Sequence, residues 1–243
     1  MKLTKIRLIE IELYSQCNRQ CDFCPNAYLD RYTENIYMDD KVFIKVIDEL
    51  VTAKYKGYIS FSRYNEPFMH PEALRKAVDY IKEHLPAAKL ISNTNGDYDN
   101  TAFRKDIEIT EMDYDNNKVS SVSEDKRYRI MTLKDINNRG GSIISGGLPT
   151  FRDFPCLEPT YFVGIDYEGS VVPCCNFRHD VASHKDYILG NIIDDKLITI
   201  LNSKKATKFR KDVKDMKFPP ACKFCSKKEG RYTRKHPGIT DVL

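Results

Sequence analysis

Three cysteines near the start of the chain have a spacing that suits metal chemistry. Cys17, Cys21 and Cys24 lie in one short run, and the other five cysteines all follow residue 150. Three thiolates from one loop, without a fourth nearby, are the ligand set of an iron–sulfur cluster that keeps one iron open. Because an open iron can bind and activate a ligand, this spacing favours catalysis over simple electron carriage. Zinc is the structural alternative, although its thiolate sites usually have paired CxxC spacings.

Four of the later cysteines are enough for a second metal site. Cys156, Cys174, Cys222 and Cys225 offer four thiolates, which can coordinate every iron of a second 4Fe–4S cluster. A structural zinc ion is again the alternative. Cys175 is left over, and we interpret it as a small buried apolar side chain. A hydrogen donor to a substrate radical and an alternative cluster ligand are its other interpretations.

The composition is that of a globular protein, and no membrane span is expected. The chain has 243 residues, 41% of them hydrophobic, and its apolar residues fall in short periodic runs. This length allows one large domain, or one domain with a small appendage. The N-terminus lacks the apolar core of an export signal, so we expect a cytoplasmic protein whose eight cysteines stay reduced.

The charge distribution says little about partners. The net charge of +4 is mild and predicts no binding to nucleic acid. Residues 204–217 are rich in lysine, but Asp212 and Asp215 interrupt the run. A solvated helix face is therefore the simplest interpretation. A docking face for an acidic electron donor is another.

Apolar periodicity predicts alternating strands and helices in the first hundred residues. Strands are expected at 6–13, 58–64 and 89–94, and helices at 38–55 and 71–84. This order is typical of right-handed βαβ units around a parallel sheet. Ligands of such sheets bind at the carboxyl ends of the strands. The polar segments that follow the three strands should therefore converge on one face.

The second half of the chain has a different order of predicted strands and helices. The predicted elements are strands at 107–112 and 128–133, a β-hairpin at 161–173 and a helix at 194–211. Gly146 to Pro149 marks a loop between the two regions. We therefore expect two units, residues 1–150 and residues 151–243.

The triad resembles the signature of the radical S-adenosylmethionine (SAM) superfamily. In that family a CxxxCxxC loop, matched here by Cys17, Cys21 and Cys24, holds a 4Fe–4S cluster whose open iron chelates SAM. The residue before the third cysteine, Phe23, is suited to lie against a flat heterocycle. The resemblance implies an α/β fold with a partial (β/α) TIM-like barrel. It also implies reductive cleavage of SAM to a 5′-deoxyadenosyl radical, with a flavodoxin or ferredoxin-type protein as reductant.

Two further segments resemble SAM-binding parts of this family. The Tyr-Asn-Glu-Pro run around Glu66 resembles the family's Gly-Glu-Pro segment, whose acidic residue meets the amino group of the SAM methionine. The resemblance gives Glu66 that role. Residues 92–96 resemble the strand end that approaches the SAM ribose, which makes Thr94 and Asn95 candidates for cofactor binding. An ordinary Asn-Gly turn is the alternative.

The second cysteine set resembles the small twitch domain, a shortened relative of SPASM domains that holds an auxiliary cluster. Cys156, Cys174, Cys222 and Cys225 are the ligands that this resemblance implies. The predicted hairpin and the helix after it would then fold around that cluster.

One arginine is a candidate for substrate binding. The Asn-Arg-Gly-Gly stretch around Arg139 resembles that of a twitch-containing dehydrogenase of the superfamily, in which this arginine lies at the substrate. The resemblance implies that Arg139 binds a hydroxyl and assists its deprotonation. A loop arginine in a Gly-Gly turn is the alternative. Three acidic residues could bind a polyol or amine: Glu111, Asp113 and Asp115. An acidic turn exposed to water is the alternative interpretation.

These features favour a radical SAM oxidoreductase that abstracts hydrogen from a small polar substrate, such as a sugar or cyclitol. An auxiliary cluster suits net oxidation, because it can accept an electron from the substrate radical. Modification of a peptide, by epimerisation or crosslinking, is the alternative among enzymes. A non-catalytic iron–sulfur electron carrier and a zinc-binding module are the alternatives from other classes.

Overall fold

One mixed sheet organises the part of the chain that the structure describes. The computed structural model describes residues 1–114, 127–130, 138–143 and 151–225, with the backbone alone at 127–130. Its strands are β1 Leu8–Ile11, β2 Tyr58–Ser60, β3 Lys89–Thr94, β4 Glu108–Asp113, β5 Arg127–Ile130, β6 Phe162–Ile165, β7 Ser170–Val172 and β8 Gly190–Asn191. They lie in the order β5-β4-β3-β2-β1-β6-β7-β8.

The strands β1 to β6 are parallel, whereas β7 and β8 add to the edge of the sheet in antiparallel pairings. On β1, Ile9 is opposite Ile59 of β2 on one side and Val163 of β6 on the other. Parallel strands place their carboxyl ends at the same edge. The segments after β1, β2 and β3 therefore emerge together, as the sequence predicts.

The helices cover this sheet with their apolar faces. They are α1 Asp40–Thr52, α2 Pro71–His84, α3 Glu158–Tyr161, α4 Leu197–Asn202, α5 Lys204–Lys214 and α6 Pro220–Lys223. In α1 the Asp39 side chain accepts a hydrogen bond from the Lys41 amide and caps the first turn. The buried side chains of α1 and α2, such as Val46 and Val78, join the isoleucines of β1 and β2 in one core. None of the helices described here is long and apolar enough to cross a membrane.

The hairpin predicted at 161–173 is confirmed as β6 and β7, and its first strand pairs with β1 in the main sheet. The single helix predicted at 194–211 is wrong. Ser203 separates α4 from α5 because its backbone is extended, with ψ of 157°, and its Oγ accepts from the Ala206 amide at 3.1 Å. The loop predicted at Gly146 to Pro149 lies outside the described residues.

Replacing the Ser203 cap tests this break. In Ser203→Ala the Ala206 amide at the start of α5 loses its side-chain partner, so we expect a loss of about 1 kcal/mol in unfolding free energy. The urea midpoint of the holoprotein measures it. Ser203→Asp is the matched control and should unfold like the wild type, because aspartate caps equally well. Equal midpoints for Ser203→Ala and the wild type would contradict the capping role.

Candidate functional site

The loop that carries the first three cysteines is fixed at both ends. The Cys17 amide donates to the Arg31 carbonyl oxygen at 2.8 Å. At the other end, the Cys24 amide donates to the Cys21 carbonyl oxygen at 2.8 Å, and the Ala27 amide donates to the Cys24 carbonyl oxygen at 3.0 Å. These main-chain hydrogen bonds hold the three cysteines in one loop after β1.

The environment of these thiols suits a metal cluster. Burial raises the pKa of the Cys17 thiol to about 12, and the nearby thiols of Cys21 and Cys24 act in the same direction. A desolvated thiol ionises with difficulty unless a cation compensates the charge. A bound metal supplies that charge and deprotonates its thiol ligands. The three residues therefore fit an iron–sulfur cluster.

Glu66 is a buried carboxylate at the same edge of the sheet. Its side chain is surrounded by donors: Thr94 Oγ1 donates to Oε1 at 2.6 Å, and the Asn95 amide donates to Oε2 at 2.9 Å. Burial raises the pKa of Glu66, whereas these hydrogen bonds favour its charged form. The residue before it, Asn65, stands where the resemblance expects glycine. No described residue of this segment has a positive φ, so asparagine is accommodated without strain.

Polar side chains join the cysteine loop to the end of β3. Asn18 Oδ1 accepts from Asn95 Nδ2 at 2.8 Å, and Asn18 Nδ2 donates to Asp97 Oδ2 at 2.9 Å. Arg19 binds both carboxylate oxygens of Asp97 at 2.6 Å. The three strand ends that the sequence brings to one face are therefore in direct contact.

The second cysteine set lines one cavity. Cys156, Cys174, Cys222 and Cys225 all contribute to its wall. Burial raises the pKa of the Cys222 thiol to about 12, and the thiols of Cys225 and Cys156 act in the same direction. Among the described residues, no three histidine, cysteine or acidic side chains are close enough to hold a single metal ion.

Two residues beside this cavity suit an anionic cluster. The Asn176 amide donates to Cys174 Sγ at 3.4 Å, and Asn176 Nδ2 donates to Cys225 Sγ at 3.6 Å. Arg152, only 9% exposed, places its guanidinium beside Cys222 and donates to the Cys225 carbonyl oxygen at 3.3 Å. Donors to sulfur and a nearby cation stabilise thiolate-bound iron.

Arg139 lies between the two cysteine sets. Its backbone is left-handed, with φ of 46°, and two glycines with positive φ follow it. Burial lowers the pKa of Arg139, but the phenols of Tyr64 and Tyr114 and the thiols of Cys175 and Cys24 raise it above its ordinary value. Arg139 is therefore near enough to interact electrostatically with Cys24 of the first set and with Cys175, which is adjacent to Cys174 of the second.

Two aromatic side chains lie near the cysteines of the first triad. The ring of Phe23 lies 5.1 Å from that of Tyr114. Burial raises the pKa of Tyr114, whose neighbours include Arg139 and the thiols of Cys21 and Cys24. The structure therefore brings Phe23, predicted from its place in the triad, together with a tyrosine that the sequence did not indicate.

The acidic residues on and after β4 do not share one environment. Glu111 accepts from Arg104 Nη2 at 2.5 Å and from Asn100 Nδ2 at 3.3 Å, so its carboxylate is held by neighbours on the protein. Asp113 is completely buried. Asp115 lies outside the described residues.

The comparisons with known proteins define the class of this chain. Residues 156–226 match the family model of the SPASM domain, an iron–sulfur cluster-binding domain. The fold is similar to that of BtrN in complex with AdoMet and 2-DOIA, with a TM-score of 0.78 and 25% identity over 95% of this chain and 97% of that one. Together these similarities support a radical SAM enzyme with a SPASM-type iron–sulfur domain. Its cofactors are SAM and two 4Fe–4S clusters.

Among curated proteins, the chain is similar to S-adenosyl-L-methionine-dependent 2-deoxy-scyllo-inosamine dehydrogenase of Niallia circulans. The two are 27% identical over 225 residues, which cover 86% of this chain and 87% of the relative. The expected likeness to this dehydrogenase is confirmed. A structure of anSMEcpe with bound AdoMet and the Cp18Cys peptide shares the fold at a TM-score of 0.57, with 13% identity over 90% of this chain and 88% of that one.

Removing one donor to Glu66 tests the geometry of the first site. Thr94→Val keeps the side-chain volume but removes the hydroxyl 2.6 Å from Oε1. A buried carboxylate that loses a donor is harder to keep charged, so we expect SAM to bind about tenfold more weakly. Anaerobic equilibrium dialysis with the holoenzyme measures the affinity. Thr94→Ser, which retains the hydroxyl, is the matched control. Wild-type affinity in Thr94→Val would exclude this role.

Proposed function

We propose that this enzyme oxidises a hydroxyl-bearing carbon of a small polar substrate, of the cyclitol or sugar class. The observation that carries the proposal is the position of Arg139, which is near enough to interact electrostatically with both Cys24 of the first set and Cys175 beside the second. A substrate held by this guanidinium would lie between a radical-generating site and an electron acceptor. The similarity to a dehydrogenase that acts on 2-deoxy-scyllo-inosamine supports the same substrate class.

We propose which residues would hold the cofactors. Cys17, Cys21 and Cys24 would bind the first cluster, and Cys156, Cys174, Cys222 and Cys225 the second. Glu66 would accept from the SAM amino group, and Thr94 and Asn95 would orient that carboxylate and line the ribose side. Phe23, beside Tyr114, would lie against the adenine.

When bound, SAM and the first cluster supply a 5′-deoxyadenosyl radical, and the second cluster supplies an acceptor for one electron. The substrate carbinol loses a hydrogen atom from carbon, a proton from its hydroxyl and one electron, and becomes a carbonyl. These losses balance, since the hydrogen atom is recovered in 5′-deoxyadenosine, the electron equals the one spent on SAM, and the proton is released to the medium. The protein must hold the reacting carbon near the first site and keep water out.

Arg139 would bind the hydroxyl as a cation and would not act as the base. Its pKa is raised above its ordinary value, so the guanidinium stays protonated. A fixed positive charge favours the developing alkoxide and thereby eases loss of the hydroxyl proton. This role agrees with what the resemblance implies, that Arg139 binds a hydroxyl and assists its deprotonation.

A peptide substrate is the second candidate among enzymes. The structure of anSMEcpe with a bound peptide has the same fold, but its identity to this chain is only 13%. In that case Cys175, which lies near Arg139, would be the thiol that returns a hydrogen atom to the peptide radical. Nothing else in the described residues favours a peptide.

The setting of the enzyme follows from its cofactors. We propose a cytoplasmic location and a flavodoxin or ferredoxin-type reductant, because reduced clusters and free thiols need a reducing compartment.

We also propose that the chain divides near residue 150 into a radical SAM core, 1–150, and an auxiliary-cluster unit, 151–243. The SPASM match at 156–226 supports this division.

Separate removal of the two cysteine sets tests the cofactor assignment. The wild type should bind about eight irons per chain and form 5′-deoxyadenosine with dithionite and SAM. Replacing Cys17, Cys21 and Cys24 by alanine should halve the iron and abolish cleavage. Replacing Cys222 and Cys225 should also halve the iron, yet spare SAM binding and stop substrate turnover. Normal turnover by the second variant would refute the redox role of the auxiliary site.

Isotope transfer tests the substrate class. With 2-deoxy-scyllo-inosamine and related cyclitols deuterated at the carbinol carbons, deuterium should appear in 5′-deoxyadenosine as the ketone forms. Arg139→Lys should slow this transfer about 100-fold while SAM cleavage without substrate persists. Arg75→Lys, at the Asp106 pair, is the control and should react like the wild type. Transfer from a peptide but from no cyclitol would support the second candidate instead.

A further inference from the structure

Arg178 comes from the region of the second cysteine set, but its side chain reaches the loop of the first. It follows Cys174 by four residues in the sequence. Its side chain is 1% exposed and is the largest by volume among the fully buried side chains of the described residues. Its Nη1 donates to Asn26 Oδ1 at 2.7 Å, and Asn26 is two residues after Cys24. One guanidinium therefore connects the two cluster regions.

The orientation of this guanidinium is fully determined by its partners. Its Nε donates to Asp180 Oδ1 at 2.7 Å, and its Nη2 donates to Oδ2 of the same carboxylate. Its plane lies over the ring of Tyr64, with 4.3 Å from Cζ to the ring centre. The fork on Asp180 and the stack on Tyr64 leave Nη1 directed at Asn26. A lysine cannot make these three contacts at once.

Asn26 links Arg178 to the segments that carry Cys24 and Glu66. Its Nδ2 donates to the Tyr64 carbonyl oxygen at 2.8 Å, two residues before Glu66. Asn26 also lies in the short turn Pro25–Ala27 that follows Cys24. The backbone of Asn26 therefore belongs to the turn that ends the cysteine loop, and its side chain binds the segment that carries Glu66. Arg178 fixes the other end of this amide by donating to its oxygen.

The backbone of Arg178 reaches the loop of Arg139 as well. Its amide donates to His184 Nδ1 at 3.2 Å, and His184 Nε2 lies 3.1 Å from the Gly140 carbonyl oxygen. Since Nδ1 accepts, Nε2 carries the proton and donates to Gly140. A Cβ at Gly140 would lie 3.0 Å from His184 Nε2, so this approach is close.

We propose that Arg178 is a positioning residue for SAM, acting through Asn26 on the relative placement of Cys24 and Glu66. The inference rests on the proposed assignment of the first site to SAM. It adds that the auxiliary-cluster region, through Arg178, sets how the cofactor is held at the radical-generating site. Residues that orient ligands in this way affect affinity without touching the ligand.

Arg178→Lys in the reconstituted holoenzyme is the direct test, with SAM itself as the probe. We expect both clusters to load, SAM affinity to fall about 10- to 100-fold, and the paramagnetic resonance change that SAM causes in the reduced first cluster to be altered. Arg75→Lys is the matched control. Arg75 binds Asp106 at 2.8 Å and lies 4.3 Å over the Phe103 ring, away from either cysteine set. This control should keep wild-type affinity and spectrum.

Asn26→Ala provides a second test that leaves the Arg178–Asp180 pair intact. It should weaken SAM binding in the same way, and the double variant should lose less than the sum of the two single losses. Unchanged SAM affinity in Asn26→Ala overturns the proposal, even where Arg178→Lys fails to fold. A wild-type enzyme that neither binds nor cleaves SAM would instead refute the function on which this inference rests.

Discussion

The buried carboxylate of Glu12, just after β1, is the constraint on which the first site depends. It is 0% exposed, and Arg31 Nη1 donates to it at 2.6 Å. An unpaired charge at this depth would cost about 3–5 kcal/mol. Arg31 comes from the chain beyond the cysteine triad, so pairing it with Glu12 folds that chain back over the sheet. The carbonyl of Arg31 then accepts the Cys17 amide at 2.8 Å, which closes the cysteine loop.

Buried ion pairs also connect Arg31 with the region of the second cysteine set. Arg31 also donates to Asp180, through Nε at 3.0 Å and Nη2 at 2.9 Å. Burial raises the pKa of Asp180, but the guanidinium groups of Arg178 and Arg31 hold it well below its usual range. The carboxylate therefore stays charged and keeps the two arginines together. A further arginine, Arg63, donates to the Phe177 carbonyl oxygen at 3.0 Å.

The close approach of Arg63 explains one glycine of the central sheet. A Cβ at Gly164 of β6 would lie 1.8 Å from Arg63 Nη1 and 2.8 Å from Val172 Cγ2. The guanidinium also lies 3.4 Å from the carboxylate of Glu10 on β1, so it has little freedom to move aside. The strand that joins the SPASM-matched region to the main sheet therefore needs glycine at this position.

Local sequence patterns predicted the parts of the structure whose cause is local. The apolar stripe and first-turn proline placed α2 at 71–84, which are the bounds observed. The cysteine spacing and the order of strands likewise indicated which segments meet. Arg178 and Asn26 carried no such signal, because they are 152 residues apart and each is polar by type. Only the fold shows that both are buried and paired. The break at Ser203 was missed, although the side chain of this residue caps α5.

Tyr64 shows why these distant residues belong to one system. Its ring lies 4.3 Å from the guanidinium of Arg178, 5.9 Å from that of Arg139 and 6.0 Å from that of Arg63. Burial raises the pKa of Tyr64, so the phenol is neutral and its hydroxyl donates to the Cys175 carbonyl oxygen at 2.9 Å. The faces of the tyrosine ring attract each cation, and two of the arginines also have a carboxylate partner, Asp180 for Arg178 and Glu10 for Arg63. Thiolate-bound iron–sulfur clusters on either side would add further negative charge, which suits a place between the two cysteine sets where three guanidinium groups surround one ring.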